Sequence, residues 1–527
     1  MEERLAIISN IFRNTSEIKV LESFKFSEKG FCGNILLNAY PKEDLFFDVI
    51  IPKNYPFIDL GGKSIKFICK NVSGYLHINE DNSICLITPK SSDISARLVL
   101  EIEELKVWRD KYYINEEKDE KYDYLIVPNQ SNVTFFFTDL KTPFSKNDFG
   151  VFEAAILNGN NKSCYITKIG KSECEWSKNI HQLSKGVTGF FYFMADEPIG
   201  KGNISFDNWQ QLNSVFTQKF LDRLYRLKGD KDSQLSILLG YNIPNSVEIH
   251  WQIMAVQIDK IPIKSIKKAP GYYEHFFTDR KIEWCKTINI SPSRFFGRGA
   301  VTAHLQESKI LIVGCGAIGS SLSKILVRSG CKNIDLSDFE IIEPGNICRS
   351  EYFLIQSGNF KHSELKNQLN MISPFLESQF ILIEKDSSNG GKKNNRILLE
   401  KYDYIIDCSS DDELCVYLDS LNLENKVINI SISNKANELV CVIGRSAIWQ
   451  EVKNIFSELD RSENKLFYEG TGCWSPTFEA SYFDINALLN LAIKNINFRL
   501  EKGLDLNTFI IKNVENNGYL NSQIIDY

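Results

Sequence analysis

The chain has 527 residues, which at about 150 residues per domain excludes a single small fold. Hydrophobic residues make up 43% and charged residues 24%, and 35 Phe, 21 Tyr and 7 Trp can fill several cores, so disorder is not expected. The 61 basic and 67 acidic residues give a net charge of −6, with no basic excess to draw a phosphate backbone or an anionic bilayer, so nucleic acid and membrane are set aside as partners.

The opening Met1-Glu2-Glu3-Arg4 is acidic and runs into no signal-type apolar stretch. Nothing in the sequence approaches the ~18 apolar residues of a membrane span, and a cytoplasmic protein is expected. The 13 cysteines are scattered without a Cys-x-x-Cys pair, which predicts mostly buried, reduced thiols rather than a disulfide framework or a four-cysteine zinc site.

Residues 1–115 form a first block. It contains Pro52-Lys53-Asn54-Tyr55-Pro56-Phe57, a predicted strand from Ile65 to Cys69, and the segment Gly74 to Leu86 with His77 and Cys85. The charged run Asn115 to Lys121 reads as a solvated linker. Residues 122–287 form a mixed α/β block with predicted strands at Leu125–Val127, Val133–Phe137 and Val247–Trp251 and a predicted helix from Trp209 to Leu227. No chemical motif stands out in it.

The third block, residues 291–527, opens with the apolar run Lys309–Val313, the signature of a buried parallel strand, and continues as alternating strand and helix. Gly314-Cys315-Gly316-Ala317-Ile318-Gly319 follows directly and leads into a predicted helix, Ser320 to Arg328. Glycines there let a ligand approach the backbone, and the helix start offers free N–H groups to an anion. Asp338 follows the next strand, where a carboxylate can accept from ribose hydroxyls. A nicotinamide dehydrogenase shares this much. The next segment, Asp338-Phe339-Glu340 through Asn346 to Arg349, then Lys361, brings acids, an amide and two cations behind the strand, which suits a triphosphate better. Singly, Arg349 or Lys361 would read as an ordinary surface charge.

From about Arg294 onward these motifs, in this order and ending on Ser373-Pro374, resemble the ThiF/MoeB-type adenylating enzymes, which include the ubiquitin-activating enzymes. The resemblance implies a Rossmann-like adenylation domain using ATP and Mg2+. Gly314, Gly316 and Gly319 would hold phosphates, Asp338 with Glu340 would hold the ribose side, and Asn346, Arg349 and Lys361 would meet the reacting phosphates. Arg298 matches an arginine that often crosses a dimer interface in this family, which implies a homodimer. The family's Asp-x-Thr-Asp is replaced by Asp407-Cys408-Ser409-Ser410-Asp411, with Ser410 where an acid is usual, so either Asp407 or Asp411 would bind the metal.

Activating enzymes of this kind pass the acyl group from AMP to a cysteine. Cys415, in a helical pattern, and Cys441, in the strand Leu439–Ile443, read as core; Cys473, in Gly470-Thr471-Gly472-Cys473-Trp474, reads as the acceptor, with packing beside Trp474 as the bland alternative.

The first block resembles the α+β core of ubiquitin-conjugating enzymes, with its Tyr-Pro-Phe turn and its Ile-Cys-Leu at the thioester cysteine. Cys85 would then carry a thioester, although alone it would read as a strand cysteine. The family's His-Pro-Asn triplet is missing, and His77 falls where its Asn would stand, able to donate to an oxyanion or to act as a base.

Together, a conjugating-like domain, a linker domain and a ThiF-type domain resemble the fusion proteins of bacterial CBASS antiphage operons. That implies activation of a protein C-terminal carboxylate, on a cGAS-like nucleotidyltransferase, with thioesters first on Cys473 and then on Cys85, and conjugation to a target amine. The neighbouring possibilities are a ubiquitin-like or sulfur-carrier substrate, and a nucleotide-binding scaffold without activity.

Overall fold

The computed structural model describes residues 2–57, 65–79, 81–87, 90–117, 126, 130–140, 142–157, 163–181, 184–200, 205–225, 234–243, 246–257, 263–268, 271–276, 281–423, 426–444, 447–459, 467–468 and 477–527. The chain divides into two compact units, Met1–Ser291 and Pro292–Tyr527.

The first unit begins with helix α1 (Glu2–Asn14), then the strands β1 (Ile18–Ser27), β2 (Gly30–Leu37), β3 (Leu45–Ile51) and β4 (Lys66–Cys69), paired antiparallel in that order. Alternation on β3 turns Leu45, Phe47, Val49 and Ile51 inward. They pack with Ile8 and Phe12 of α1 and with Leu98, Ile102 and Leu105 of α2 (Ile94–Trp108). Asp93 caps α2 by accepting from Ala96 N, and a π-helical turn, Arg109–Ile114, continues it. The Tyr-Pro-Phe turn is tied to α2 by Tyr55 Oη, which donates to Glu101 Oε2 at 2.7 Å, while Arg97 pairs with the same carboxylate.

The chain continues with β5 (Gln130–Phe137), β6 (Phe149–Leu157), β7 (Ser163–Ile169), β8 (Ser172–Glu173), helix α3 (Ser177–His181), β9 (Ser184–Ala195), helices α4 (Trp209–Val215) and α5 (Gln218–Tyr225), β10 (Gln234–Asn242), β11 (Ile249–Gln257), the separate hairpin β12 (Ile263–Lys268) and β13 (Gly271–Phe276), and β14 (Cys285–Asn289), whose strands other than the hairpin form a second sheet. Its order among the described residues is β11-β10-β9-β6-β7-β5-β14, with β8 beside β7. The strand expected at Val133–Phe137 lies in β5 and the one at Val247–Trp251 begins at Ile249; Leu125 and Val127 lie outside the described residues.

The single helix expected from Trp209 to Leu227 is two, with Leu227 outside the described residues. Phe216 is extended between them, and the Tyr192 hydroxyl enters the gap, donating to Val215 O at 3.0 Å and accepting from Thr217 N at 3.2 Å. A partner from another strand ended the helix, which periodicity along the segment does not reveal.

The second unit opens with α6 (Pro292–Phe296) and α7 (Ala303–Glu307). It continues with β15 (Lys309–Val313), α8 (Ala317–Arg328), β16 (Asn333–Ser337), α9 (Lys361–Ile372), α10 (Asn389–Leu399), β17 (Tyr404–Asp407), α11 (Asp412–Ser420), β18 (Lys426–Ser433), β19 (Glu438–Gly444) and α12 (Ile448–Glu458). It closes with the short β20 (Phe467–Tyr468) and β21 (Thr477–Phe478), then α13 (Tyr482–Glu501), β22 (Phe509–Asn516) and β23 (Tyr519–Asp526). The sheet runs β16-β15-β17-β18-β19-β22-β23, parallel from β16 to β18 and antiparallel beyond. Successive residues of β15 serve opposite faces: Ile310 and Ile312 pack with α8, α9 and α13, and Leu311 and Val313 with α11 and α12. Two covered faces explain the unbroken apolar run. This is a Rossmann-like doubly wound fold, whose parallel strands end together at the glycine loop.

Among the described residues, no helix is long and apolar enough to cross a membrane.

Candidate active site

The loop after β15 needs glycine for two separate reasons. Gly314 has φ +81°, and a Cβ there would lie 2.6 Å from Ser409 Cα. A Cβ on Gly319 would collide with the Gly314 carbonyl oxygen, so the helix could not fold back against its own loop. Gly316 is different, because a Cβ on it would meet nothing within 4 Å. It opens α8 without a side-chain cap, so the first N–H groups of a twelve-residue helix face a cradle that no side chain fills.

Acids converge on this loop. Asp338, just past β16, accepts from Cys315 N at 2.6 Å through Oδ2 and from Glu340 N at 2.7 Å through Oδ1. A carboxylate has about four lone-pair sites, so room for hydroxyls remains. Burial pushes its pKa up, against the pull of those two N–H groups and of Lys361. Lys361 is buried at the start of α9 and pairs with Glu340 at 2.5 Å. Asp407, 1% exposed, ends β17 opposite Val313, which sets it beside the loop. It accepts from Ser409 N at 3.0 Å, Ser409 Oγ at 2.6 Å and Asn429 Nδ2 at 3.0 Å, and burial again pushes it up. Asp411 is committed elsewhere: it caps α11 through Leu414 N and pairs with Lys385 at 3.0 Å. Among the described residues no three His, Cys, Asp or Glu side chains cluster to hold a metal. A magnesium ion carried by substrate phosphates needs only one or two carboxylates, and Asp407 fits that demand better than Asp411.

Gly314, Gly316, Gly319, Asp338, Glu340, Lys361 and Asp407 are therefore brought together. Asn346 lies in the 3-10 turn Pro344–Asn346, its Oδ1 accepting from Glu343 N at 3.0 Å; Arg349 is half-buried just beyond, and Arg298 is exposed after α6. Gly470 to Trp474, with Cys473, lies outside the described residues. Cys415 and Cys441 are buried as expected, the first pushed up to about 12.

Sequence patterns missed several supports. Tyr352 Oη donates to Cys315 O at 2.6 Å and lies 3.3 Å from Lys361 O, joining the glycine loop to α9. His362 Nδ1 lies 2.6 Å from Asp338 O. Glu351 binds Lys324 of α8 at 2.8 Å and accepts from Tyr482 Oη of α13 at 2.5 Å.

In the first unit, Cys85 is exposed, while nine of the twelve described cysteines are buried. Cys85 N donates to His77 O at 2.8 Å, and a hydrogen bond with the His77 side chain holds the thiol below its ordinary range despite partial burial. The two residues singled out from sequence spacing do meet. Trp108 Nε1 donates to Leu76 O at 2.9 Å, Ser205 N donates to Gly74 O at 3.1 Å, and the Leu76 side chain is buried with Tyr192 of β9 in the second sheet and Trp209 of α4. The second sheet thus helps to hold the loop that carries His77.

The second unit carries a ThiF domain: the ThiF family model matches residues 289–435, a stretch that holds the glycine loop, Asp338, Lys361 and Asp407. Over 311 residues the chain is 25% identical to the ATP-dependent ubiquitin transferase-like protein Cap2 of Enterobacter hormaechei, covering 53% of this chain and 50% of that one. It is 27% identical over 150 residues to the adenylyltransferase and sulfurtransferase UBA4 of Vanderwaltozyma polyspora, covering 26% of this chain and 33% of the relative. The chain spans about half the length of Cap2. Among solved structures it is similar to E. coli MccB with ATP, at 18% identity and a TM-score of 0.30 over 42% of this chain and 65% of that one.

Proposed function

We propose that the second unit uses ATP to adenylate the C-terminal carboxylate of a protein, and that the chain then carries the acyl group as a thioester and transfers it to an amine. The observation that carries this reading is the open cradle at Gly316 with Asp338, Lys361 and Asp407 around it. The α8 N-terminus and Gly316 would receive phosphates, Asp338 the ribose, and Asp407 the magnesium ion, with Arg349 and Lys361 offsetting charge on the reacting phosphates. The carboxylate oxygen attacks the α-phosphorus, an O–P bond forms, and pyrophosphate leaves. Cys473 is the first acyl acceptor in this reading and Cys85 the second, reached by thiol exchange. The chain acts as a dimer, with Arg298 reaching the second copy's nucleotide.

The similarity to an ATP-dependent ubiquitin transferase-like protein supports a protein as the carboxylate substrate, and the three-block order, which resembles the CBASS fusion proteins, favours a cGAS-like nucleotidyltransferase. The similarity to UBA4 favours a second reading, a ubiquitin-like or sulfur-carrier protein. ATP–pyrophosphate exchange measured with each candidate protein separates them: exchange with the nucleotidyltransferase alone is expected. Exchange with neither, alongside ATP bound in the cradle, would leave a nucleotide-binding scaffold.

A further inference from the structure

The segment around Cys85 folds as a narrow antiparallel loop. Asn79 N donates to Ser83 O at 2.7 Å, Asn82 N to Asn79 O at 2.9 Å, Ile78 pairs with Ile84, and Cys85 N donates to His77 O. Residues opposite each other on such a pair project to the same face, so thiol and imidazole are neighbours. His77 has φ +59°, a left-handed backbone that few non-glycine residues adopt. Its ring lies against Tyr112, with centroids 4.6 Å apart and planes inclined by 39°. Tyr112 stands on the π-helical turn after α2, a distortion common at functional sites. The turn is anchored on both sides of Tyr112: the Lys111 ammonium lies 5.1 Å from the Tyr112 ring, and the next residue, Tyr113, packs on Tyr75 at 5.2 Å and donates to Glu43 O.

We propose that His77 is the general base for aminolysis of an acyl group on Cys85, and that Tyr112 is the positioning residue that holds its imidazole. This rests on the reading of Cys85 as an acyl carrier. The amine nitrogen attacks the thioester carbonyl carbon, the C–N bond forms and the C–S bond breaks. The electron pair leaves on Cys85 Sγ, and the proton shed by the amine goes to His77. The site ends as an imidazolium beside a thiolate, the charge arrangement that the lowered Cys85 pKa already favours. The charged groups on the surrounding described elements are Asp81, paired with Lys66, then Arg109, paired with Glu17 and Asp110, and Lys111. A residue that only donated to an oxyanion would be replaceable by asparagine; a base would not.

The test uses the full chain, with Cys85 acetylated by S-phenyl thioacetate, excess reagent removed, and transfer to free lysine followed at the Cys85 peptide by mass spectrometry from pH 6 to 9. His77→Asn is expected to slow transfer at pH 7 by about 10²-fold or more and to remove the imidazole limb of the pH profile. Tyr112→Leu is expected to slow it about tenfold, with Tyr112→Phe restoring the rate, since a ring alone is required. In parallel, iodoacetamide labelling of Cys85 should shift to higher pH in His77→Asn and Tyr112→Leu. Transfer at the wild-type rate in His77→Asn would overturn the base, and unchanged transfer and labelling in Tyr112→Leu would overturn the positioning role. Chemical loading bypasses the nucleotide site, so wild-type protein that never charges Cys85 with ATP would overturn the carrier reading while this result stood.

Discussion

The two loops to which the proposed function assigns chemistry are built differently. Gly314 to Gly319 runs between a five-residue strand and a twelve-residue helix, and its glycine requirements are set by the backbone: one positive φ, one close backbone approach and one open helix start. His77 to Cys85 lies outside the named helices and strands; it closes on its own backbone hydrogen bonds and is placed by partners distant in sequence, Tyr112 against His77, and Trp108 and Ser205 on the Leu76 and Gly74 carbonyls just before it. A site supported by regular elements is specified locally. One supported by a few distant contacts is sensitive to single substitutions far along the chain.

The largest effect should come at Asp407, where function and stability oppose each other. Its folded pKa is raised, so a neutral Asp407 favours the folded state, and that contribution is lost as pH rises through the folded value. Asp407→Asn should therefore raise the unfolding midpoint at pH 7, with the gain vanishing below the ordinary carboxylate range. The same change should cut ATP–pyrophosphate exchange by about 10²-fold or more. A lower midpoint at pH 7 would break this account of the site.

Next come the glycines, which sharpen the distinction between backbone and ligand requirements. Gly319→Ala should destabilise the second unit by about 1–3 kcal/mol in urea titration, because the collision is with backbone. Gly316→Val should leave stability within about 0.5 kcal/mol yet weaken ATP binding strongly by calorimetry, because no protein atom fills the space that the proposed phosphates would take. Equal effects at both positions would erase the distinction.

Trp108→Phe probes the other loop, removing the donor to Leu76 O while keeping most of the ring. A buried carbonyl left unpaired costs about 1–3 kcal/mol, and the His77 ring should lose its fixed place, so Cys85 labelling by iodoacetamide should shift to higher pH. Cys441, buried in β19 with its pKa pushed up, should stay unlabelled in both proteins.

The contrast also accounts for what the sequence revealed. The glycine loop, Asp338 and Lys361 were legible because a buried strand, a tight turn and a helix impose spacing on one another. Cys85 and His77 were singled out by resemblance, Cys85 from Ile-Cys-Leu and His77 from its place at the missing triplet's Asn, and the backbone bond between them closes the loop that brings them together. Tyr112 was not legible, since nothing along the π-helical turn marks which ring meets His77. Nor were the different surroundings of Asp407 and Asp411, which depend on strand register to Val313 and Asn429 and on the pairing of the second acid with Lys385. The break at Phe216 escaped for the same reason, because Tyr192 comes from a different element.

The central claim is that ATP-driven activation in the second unit loads Cys85 in the first. The 527-residue chain, ATP, magnesium and the proposed nucleotidyltransferase substrate, quenched in acid and run with and without thiol, should give a thiol-labile adduct at the Cys85 peptide. The adduct should be absent without ATP and in Asp407→Asn. Cys85→Ala should retain pyrophosphate exchange and lose every amide conjugate. Conjugates still formed by Cys85→Ala would contradict the account, because the acyl group would then reach its target without passing through Cys85.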